Sequence, residues 1–370
     1  MQILIVGAGI AGLSLAKALE QRGMAADLVE RQTGELAVGA GLYLVGNATR
    51  ALQQLGLLAD VVPKAVPIET QRIFDWRGKL LGTIQTQDVW RRCGPCLCLP
   101  RNALHAILQA ALVRTNVSLG KAVTDIRQSP AGCKVAFSDG TAGTYNLVVG
   151  ADGVNSAVRR ITFPADAPRY LGTICWRTIT RNTAGIDGWT AMFGNGSTLG
   201  AIPVSSTDIY VYADIRARMD AIGEFSARSP LALLFAGFGA PVFPLIENLL
   251  ANAEVHFGRI EQVRMAEWVK GRVVLIGDAA HASSPSMASG GGMAMEDALV
   301  LAETITAGSS LDQALAAYAA RRRPRVEWVQ AQCAARDRMR ALPGLARSAV
   351  VKLFGQTLYR RSYTPLLKPI

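Results

Sequence analysis

Gln2-Ile3-Leu4-Ile5-Val6-Gly7-Ala8-Gly9-Ile10-Ala11-Gly12 is the stretch on which the fold turns. A short buried-strand pattern, residues 2–6, runs directly into the glycines, and a helical pattern follows to about Arg22. A second strand, Ala26 to Val29, ends in Glu30. This is a strand–helix–strand opening. Gly7 permits the tight turn, Gly9 lets the main chain approach a pyrophosphate, and Gly12 lets the helix pack close to the strand. The helix N-terminus offers unpaired N–H groups and positive dipole to phosphates. Glu30 lies 21 residues after Gly9, a spacing that suits a carboxylate bonded to a ribose diol. The motif alone does not separate FAD from NAD.

The chain has 370 residues, more than one compact core usually holds. Half of the residues are hydrophobic and 18% are charged, which excludes disorder as the main state. The net charge of +11 is uneven. Residues 311–370 hold 12 Lys and Arg against 3 Asp and Glu, so the rest is almost neutral and a uniformly basic nucleic-acid binder is excluded. Six cysteines in a chain of this length do not make a disulfide scaffold. No signal peptide is read at the N-terminus. The longest apolar stretch, Leu231 to Ile246, is broken by Gly237, Gly239, Pro241 and Pro244, too short for a span. A cytoplasmic protein is expected.

Further along, residues 71–84 read as a hairpin turning at Arg77-Gly78. A helix is expected at about 101–114, strands near 116–128, 133–138 and 145–150, and long strands between about 170 and 216. Residues 224–250 read as helical. A strand at Arg272 to Ile276 feeds a glycine-rich loop and an alanine-rich helix from about 293; a second long helix covers 311–340, and Pro343-Gly344 ends it. The first and last thirds then form one nucleotide-binding unit with the middle third inserted.

Two more segments narrow the reading. One is Gly150-Ala151-Asp152-Gly153 through Arg159. The other is Gly271 through Gly277-Asp278-Ala279-Ala280-His281, continuing past Pro285 and Gly290-Gly291-Gly292 to Met295-Glu296-Asp297. Together with the opening motif, Leu99-Pro100-Arg101 and the Tyr318 to Arg325 run, the chain resembles the single-component (group A) flavoprotein aromatic hydroxylases, the family of 4-hydroxybenzoate hydroxylase, urate hydroxylase and quinolone monooxygenases. The resemblance spans nearly the whole chain in family order. It implies an α/β fold: a Rossmann-like (GR2-type) FAD-binding domain from 1–70, 100–168 and 262–340, an inserted mixed β-sheet substrate domain from 71–99 and 169–261, and a basic C-terminal helical tail, 341–370.

The resemblance also implies FAD as cofactor, with NADPH or NADH as co-substrate. It places cofactor contacts at Gly7, Gly9, Ala11, Gly12, Glu30, Arg31, Gly41, Leu42, Arg101, Val123, Asp152, Asp278, Gly290, Gly291 and Gly292. Asp278, at a strand's carboxyl end, can hold ribityl hydroxyls. The helix starting at the three glycines can face the flavin's negative edge. Asp152 is the family's dual-role aspartate for FAD and nicotinamide. One departure stands out: the family's Gly-Gln-Gly is Ala288-Ser289-Gly290 here.

The implied reaction hydroxylates an electron-rich aromatic or heteroaromatic small molecule with NAD(P)H and O2, through a flavin C4a-hydroperoxide. No catalytic side chain is obligatory. Substrate contacts are expected from Tyr210, Tyr212, Trp176 and Thr198, the two tyrosines sharing a face by the period of two. Core packing of either tyrosine is an equal alternative. Thr198 and Ser286 stand where relatives carry arginine and, in urate-type members, aspartate, which argues for a less polar ring than urate. A dehydrogenase or reductase of the same fold, without oxygen insertion, is the alternative activity.

Cys93-Gly94-Pro95-Cys96 spells a dithiol motif, but Leu97 to Pro100 continues it as extended chain, so dithiol chemistry is set aside. No histidine pair has metal-ligand spacing, and no metal is expected. Leu345, Val350, Leu353, Phe354 and Leu358 among the basic residues of the tail leave weak peripheral membrane contact open against a solvated or subunit-facing helix. A monomer or homodimer is expected.

Overall fold

A computed structural model describes residues 1–34, 40–249 and 253–370. Its first sheet has six strands in the order Val269–Lys270, Val273–Leu275, Leu147–Gly150, Ile3–Val6, Asp27–Glu30 and Asn116–Leu119. All neighbours are parallel except the short edge strand Val269–Lys270. The parallel strands read as continuous apolar runs because helices cover both faces; Ile3, Leu4, Ile5 and Val6 are all buried. The helix Ile10–Glu20 packs against the helix Gly290–Thr306.

The second large sheet has seven strands, in the order His256–Gln262, Arg169–Arg181, Asp208–Arg216, Ser197–Pro203, Trp189–Phe193, Thr70–Asp75 and Leu80–Gln85. The pair Trp189–Phe193 and Thr70–Asp75 is parallel and the others are antiparallel. One face of this sheet has its own apolar core, built on Trp176, Met192, Leu199 and Val211 with Phe235. Two small three-stranded sheets complete the β structure, and one of them pairs Gly41–Leu44 with Leu97–Pro100.

The hairpin at 71–84 and the helix over residues 311–340 form as the sequence implies. The latter runs Leu311–Arg340, starts at a Ser310–Gln313 capping box and contains Pro324. Other expectations need correction. Residues 224–250 make no long helix: among the described residues only the single turns Leu231–Leu234 and Phe243–Glu247 are α-helical. The glycines and prolines between them remove donors and loosen the backbone. The strand expected at 145–150 is two strands of different sheets, Ala142–Tyr145 and Leu147–Gly150. The helix expected from about 293 begins at Gly290.

After Pro343 the chain forms a further helix, Gly344–Tyr363, one side of which lies on the strand Leu80–Gln85. The Arg50 guanidinium donates to the carbonyls of Leu366, Leu367 and Lys368 at 2.7–3.1 Å and holds the chain end to the body. No helix among the described residues is long and apolar enough to cross a membrane.

Candidate flavin and substrate site

The turn after Ile3–Val6 is built by close approach. Gly7 has φ +107°, and a Cβ there would sit 2.5 Å from the Ala151 carbonyl oxygen. A Cβ on Gly12 would sit 1.9 Å from the Gly7 oxygen. Gly9 differs: among the described residues nothing lies within 4 Å of its Cβ position. The helix starting at Ile10 has no side-chain cap and no acid in its first turn. Its first N–H groups therefore stay available to an anion. Glu30 accepts the Ala8 N–H at 3.0 Å and the Gln32 N–H at 2.9 Å, one on each oxygen. A carboxylate has about four lone-pair sites, so acceptor capacity remains for a diol. His105 bonds the Ala8 carbonyl at 2.7 Å, which fixes the loop from its other side. Val123 is buried, two residues beyond Lys121, whose N–H bonds the Glu30 carbonyl. Arg31 is exposed on the surface.

The second group comes from the other end of the chain. Gly277, at φ +58°, packs against Ala11: its Cβ position lies 3.0 Å from the Ala11 Cβ. Asp278 follows and is exposed. The Gly290 Cβ position is 3.8 Å from Asp278 Oδ1, and that of Gly291 is 3.8 Å from Ile10 and 3.9 Å from Leu42. The helix Gly290–Thr306 also lacks a side-chain cap and a first-turn acid. Ala11, Leu42, Asp278, Gly290 and Gly291 thus converge on the rim of the opening motif. Gly292 instead packs on Ala48, 3.0 Å from its Cβ position to the Ala48 Cβ.

Behind this rim lies a buried ionic cluster. Asp297 accepts from Gly277 N (2.9 Å), Arg322 Nε (2.7 Å) and His281 Nε2 (2.6 Å). Glu296 accepts from Arg322, Arg325 and Asn47. Burial works to raise both carboxyls, but the surrounding cations hold each below its ordinary value. This explains the Tyr318 to Arg325 run: Tyr318 donates to the Leu275 carbonyl and Arg322 supports the flavin-side helix.

Gly41 sits under Tyr210: a Cβ there would be 2.3 Å from the Tyr210 Cγ. Only glycine fits at this contact. Arg101 stands nearby, open to solvent in the cleft. Crowding by protein pulls its guanidinium below its ordinary range, Asp278 opposes that, and Arg177 and Tyr210 are also within electrostatic reach. Burial pushes the Tyr210 phenol up, and the positive charge of Arg177 pulls against it. Among the described residues Arg177 Nε is buried without a hydrogen-bond partner. Two arginines within electrostatic reach of each other, one with an orphaned donor, suit an electron-rich group between them.

Asp152 does not face this cleft freely. Its oxygens accept from the Ser156 hydroxyl, the Ala157 N–H at 2.6 Å and the Val158 N–H at 3.2 Å, capping the helix Ala157–Thr162. Burial outweighs these bonds and raises its carboxyl above the ordinary value. Trp176 requires a correction. It pairs with Ala213, on the face opposite Tyr210 and Tyr212, and is 1% exposed. Its indole donates to Ser226 O at 2.7 Å among Phe225, Phe235 and Phe257. Alternation along Arg169–Arg181 turns it into the apolar core and away from any substrate, while its neighbours Cys175 and Arg177 take the tyrosine face.

Tyr212 and Thr198 line a cavity of about 100 Å3 with Phe193, Asp214, Asp337 and Arg340. The charges that Thr198 and Ser286 lack are supplied from elsewhere in the chain. Arg340 donates to Thr198 Oγ1, and Ser286 donates to Asp337. An arginine and an aspartate therefore stand at these two places after all, supplied by the end of the helix Leu311–Arg340. Sequence reading missed them because both lie in a basic run that looks like a solvated face; Asp337 is the only acid between Glu327 and the C-terminus, which was the available signal.

The Cys93–Cys96 pair has no reactive thiol. Cys96 is buried and burial pushes its thiol up to about 11, and the chain continues as the strand Leu97–Pro100.

Comparison with known proteins gives the family. The FAD binding domain family matches residues 1–220 and 249–332. The chain is 34% identical over 323 residues to the aurachin C monooxygenase/isomerase of Stigmatella aurantiaca, covering 86% of this chain and 84% of that one. It is also 34% identical to the 2-heptyl-3-hydroxy-4(1H)-quinolone synthase of Pseudomonas aeruginosa, over 90% of this chain and 87% of that one. The crystal structure of Klebsiella pneumoniae HpxO with FAD and uric acid superposes with a TM-score of 0.88 at 26% identity, covering all of this chain and 97% of that one. A bare double helix terminus, a glycine-lined cradle and sequence identity over nearly the whole length lead to one statement: this chain belongs to the FAD-dependent monooxygenase family.

Proposed function

We propose that the protein uses NADPH or NADH and O2 to hydroxylate an electron-rich aromatic or heteroaromatic small molecule. The observation that carries this is the stacking of Tyr210 on Gly41, which puts the sheet's tyrosine face at the edge of the cleft rimmed by Asp278 and Gly290. Tyr212, two residues along the same face, opens into the adjoining cavity. The names of the quinolone and aurachin relatives favour a heteroaromatic ring.

When bound, FAD supplies hydride uptake and oxygen activation. The chain's own residues bind and orient. In this reading the first turn at Gly9 to Gly12 holds the diphosphate, and Glu30 accepts from the ribose hydroxyls. Val123 and Arg31 flank the adenosine end. Asp278 accepts from ribityl hydroxyls, and Arg101 neutralises negative charge in the cleft. The N–H groups at Gly290 and Gly291 favour electron density at the facing ring edge. Leu42 and Gly41 flank the ring system. Asp152 acts on the cofactor through the loop that it caps, and Tyr210 donates a hydrogen bond to the substrate while excluding water.

The test is oxygenation with labelled dioxygen. The FAD-loaded protein is offered phenols, quinolones, indoles and pyridines with NADPH or NADH under 18O2. A product carrying one 18O is expected. Substrate-stimulated NAD(P)H oxidation that yields only hydrogen peroxide across the panel would transfer the assignment to the reductase alternative.

The C-terminal helix supports a weak contact with an anionic lipid surface. Leu345, Leu353, Phe354 and Leu358 are exposed on it beside Lys352, Arg360 and Arg361. Residues 341–370 contain no Asp or Glu, so this face complements negative charge and opposes pairing with its own copy.

A further inference from the structure

We infer that the last turn of the helix Leu311–Arg340, through Asp337 and Arg340, reads the substrate, selecting a neutral ring that carries an N–H beside a carbonyl. This rests on the reading of the adjoining cavity as the substrate's place.

Arg340 is held from one side. Its Nη2 donates to Asp214 at 2.6 and 2.7 Å and to the Thr198 hydroxyl. Asp214 is 1% exposed, so the guanidinium is anchored on a buried carboxylate. Asp337 is also held from one side. Its Oδ1 accepts the hydroxyls of Ser284, at 3.1 Å, and Ser286. Both side chains keep unused capacity. Among the described residues, Arg340 Nε and Nη1 donate no hydrogen bond and Asp337 Oδ2 accepts none. Arg340 Nη1 and Asp337 Oδ1 stand 3.8 Å apart, beyond hydrogen-bond reach. A simple structural clamp would close that gap. Here Arg340 and Asp337, each with a polar atom free of partners, both line the cavity that Tyr212 and Phe193 share.

The charges of this wall balance. Asp214 and Asp337 line it together with Arg216 and Arg340. A carboxylate or an ammonium would enter with uncompensated charge and lose its hydration, whereas a neutral ring with a carbonyl and an N–H satisfies both free groups. The reader is also tied to the chemistry. Ser284 and Ser286 lie on the segment that runs into Gly290, and Thr198 and Asp214 lie on the sheet that carries Tyr210.

The test is a binding titration of the FAD-loaded protein, followed by perturbation of the flavin spectrum. It needs no turnover. The probes are 2(1H)-quinolone, its 1-methyl derivative and quinoline-2-carboxylate. The wild-type protein is expected to bind 2(1H)-quinolone at least ~10-fold more tightly than either other probe, about 1.4 kcal/mol. Asp337→Ala is expected to bring the quinolone and its 1-methyl derivative to equal affinity. Equal affinities in the wild type, tighter binding of the carboxylate, absence of quinolone binding, or an unchanged preference in Asp337→Ala each overturn the inference. The wild-type comparison stands if the variant fails to fold. Probe selectivity without 18O incorporation in any ring would sink the monooxygenase reading and leave the selection device; 18O incorporation without selectivity would do the reverse.

Discussion

The Asp297 carboxylate accepts the backbone N–H of Gly277 at 2.9 Å. The bond joins the middle of one helix to the turn that presents Asp278. It makes the position of the Asp278 carboxylate depend on a buried ion cluster. Arg322 and His281 complete Asp297's shell, so the turn, the glycine helix and the long helix after it are coupled through a single side chain.

Asp297→Ala should therefore destabilise the protein and release flavin together. It leaves Arg322 buried beside one carboxylate rather than two, and breaking a buried pair costs ~3–5 kcal/mol. Urea denaturation and the FAD content of the purified protein measure the two effects. Full stability with normal flavin content would show that the cluster is not coupled to the site.

The same residue sets an acid limit. The Asp297 carboxyl lies below its ordinary value in the fold, because His281 and Arg322 outweigh the effect of burial. The unfolded chain thus binds the proton more readily. Stability from this group is fully present above the unfolded value, about 3.9, and is lost as pH falls through the lower folded value. The stability gap between wild type and Asp297→Asn, from urea midpoints, should narrow as pH falls below about 4.

Two glycines three residues apart should fail differently. Gly12→Ala puts a Cβ 1.9 Å from the Gly7 oxygen and should prevent folding of the opening unit. Gly9→Ala meets no protein atom within 4 Å. Its methyl group enters only the space that a diphosphate requires, so the Tm of the apoprotein should hold while FAD affinity falls by ~10-fold or more, a loss of about 1.4 kcal/mol. Thermal melts and FAD titration of the two variants check this.

Trp176→Phe should act on stability alone. It removes the indole hydrogen bond to Ser226, worth ~0.5–1.5 kcal/mol. The kcat/KM for any substrate found in the oxygenation screen should stay within about twofold. A large kinetic loss at unchanged stability would return Trp176 to the substrate's surroundings.

The C-terminal helix should bind vesicles weakly and only when they are negatively charged. Co-sedimentation with phosphatidylglycerol vesicles is expected to exceed that with phosphatidylcholine and to fall with salt. Leu353→Glu should abolish it at no cost in stability, since Leu353 is 72% exposed. Equal binding to both vesicles, or none, would remove this contact.

The opening turn and the long helix from Leu311 were readable in the chain because their signals are local. A glycine required by a close approach, a strand that runs into a helix, and a capping box each act within a few residues. The period of two likewise put Tyr210 and Tyr212 on one face. It could not tell which face holds the apolar core, so Trp176, apolar and adjacent, looked as eligible as the tyrosines. Residues 224–250 misled for a related reason: their apolar content is real, but the glycines and prolines divide it into separate turns that bury it against the second core.

What the sequence by itself determined is the nucleotide-binding opening and the family, through residues whose geometry is set by their immediate neighbours. Only the tertiary structure decided the polarity of the cavity beside Tyr212. Arg340 reaches Thr198 across 142 positions and Asp337 reaches Ser286 across 51. Charge acts through space rather than along the chain, so a site that lacks charged residues at its expected positions can draw them from a helix end that reads, residue by residue, as solvent-facing.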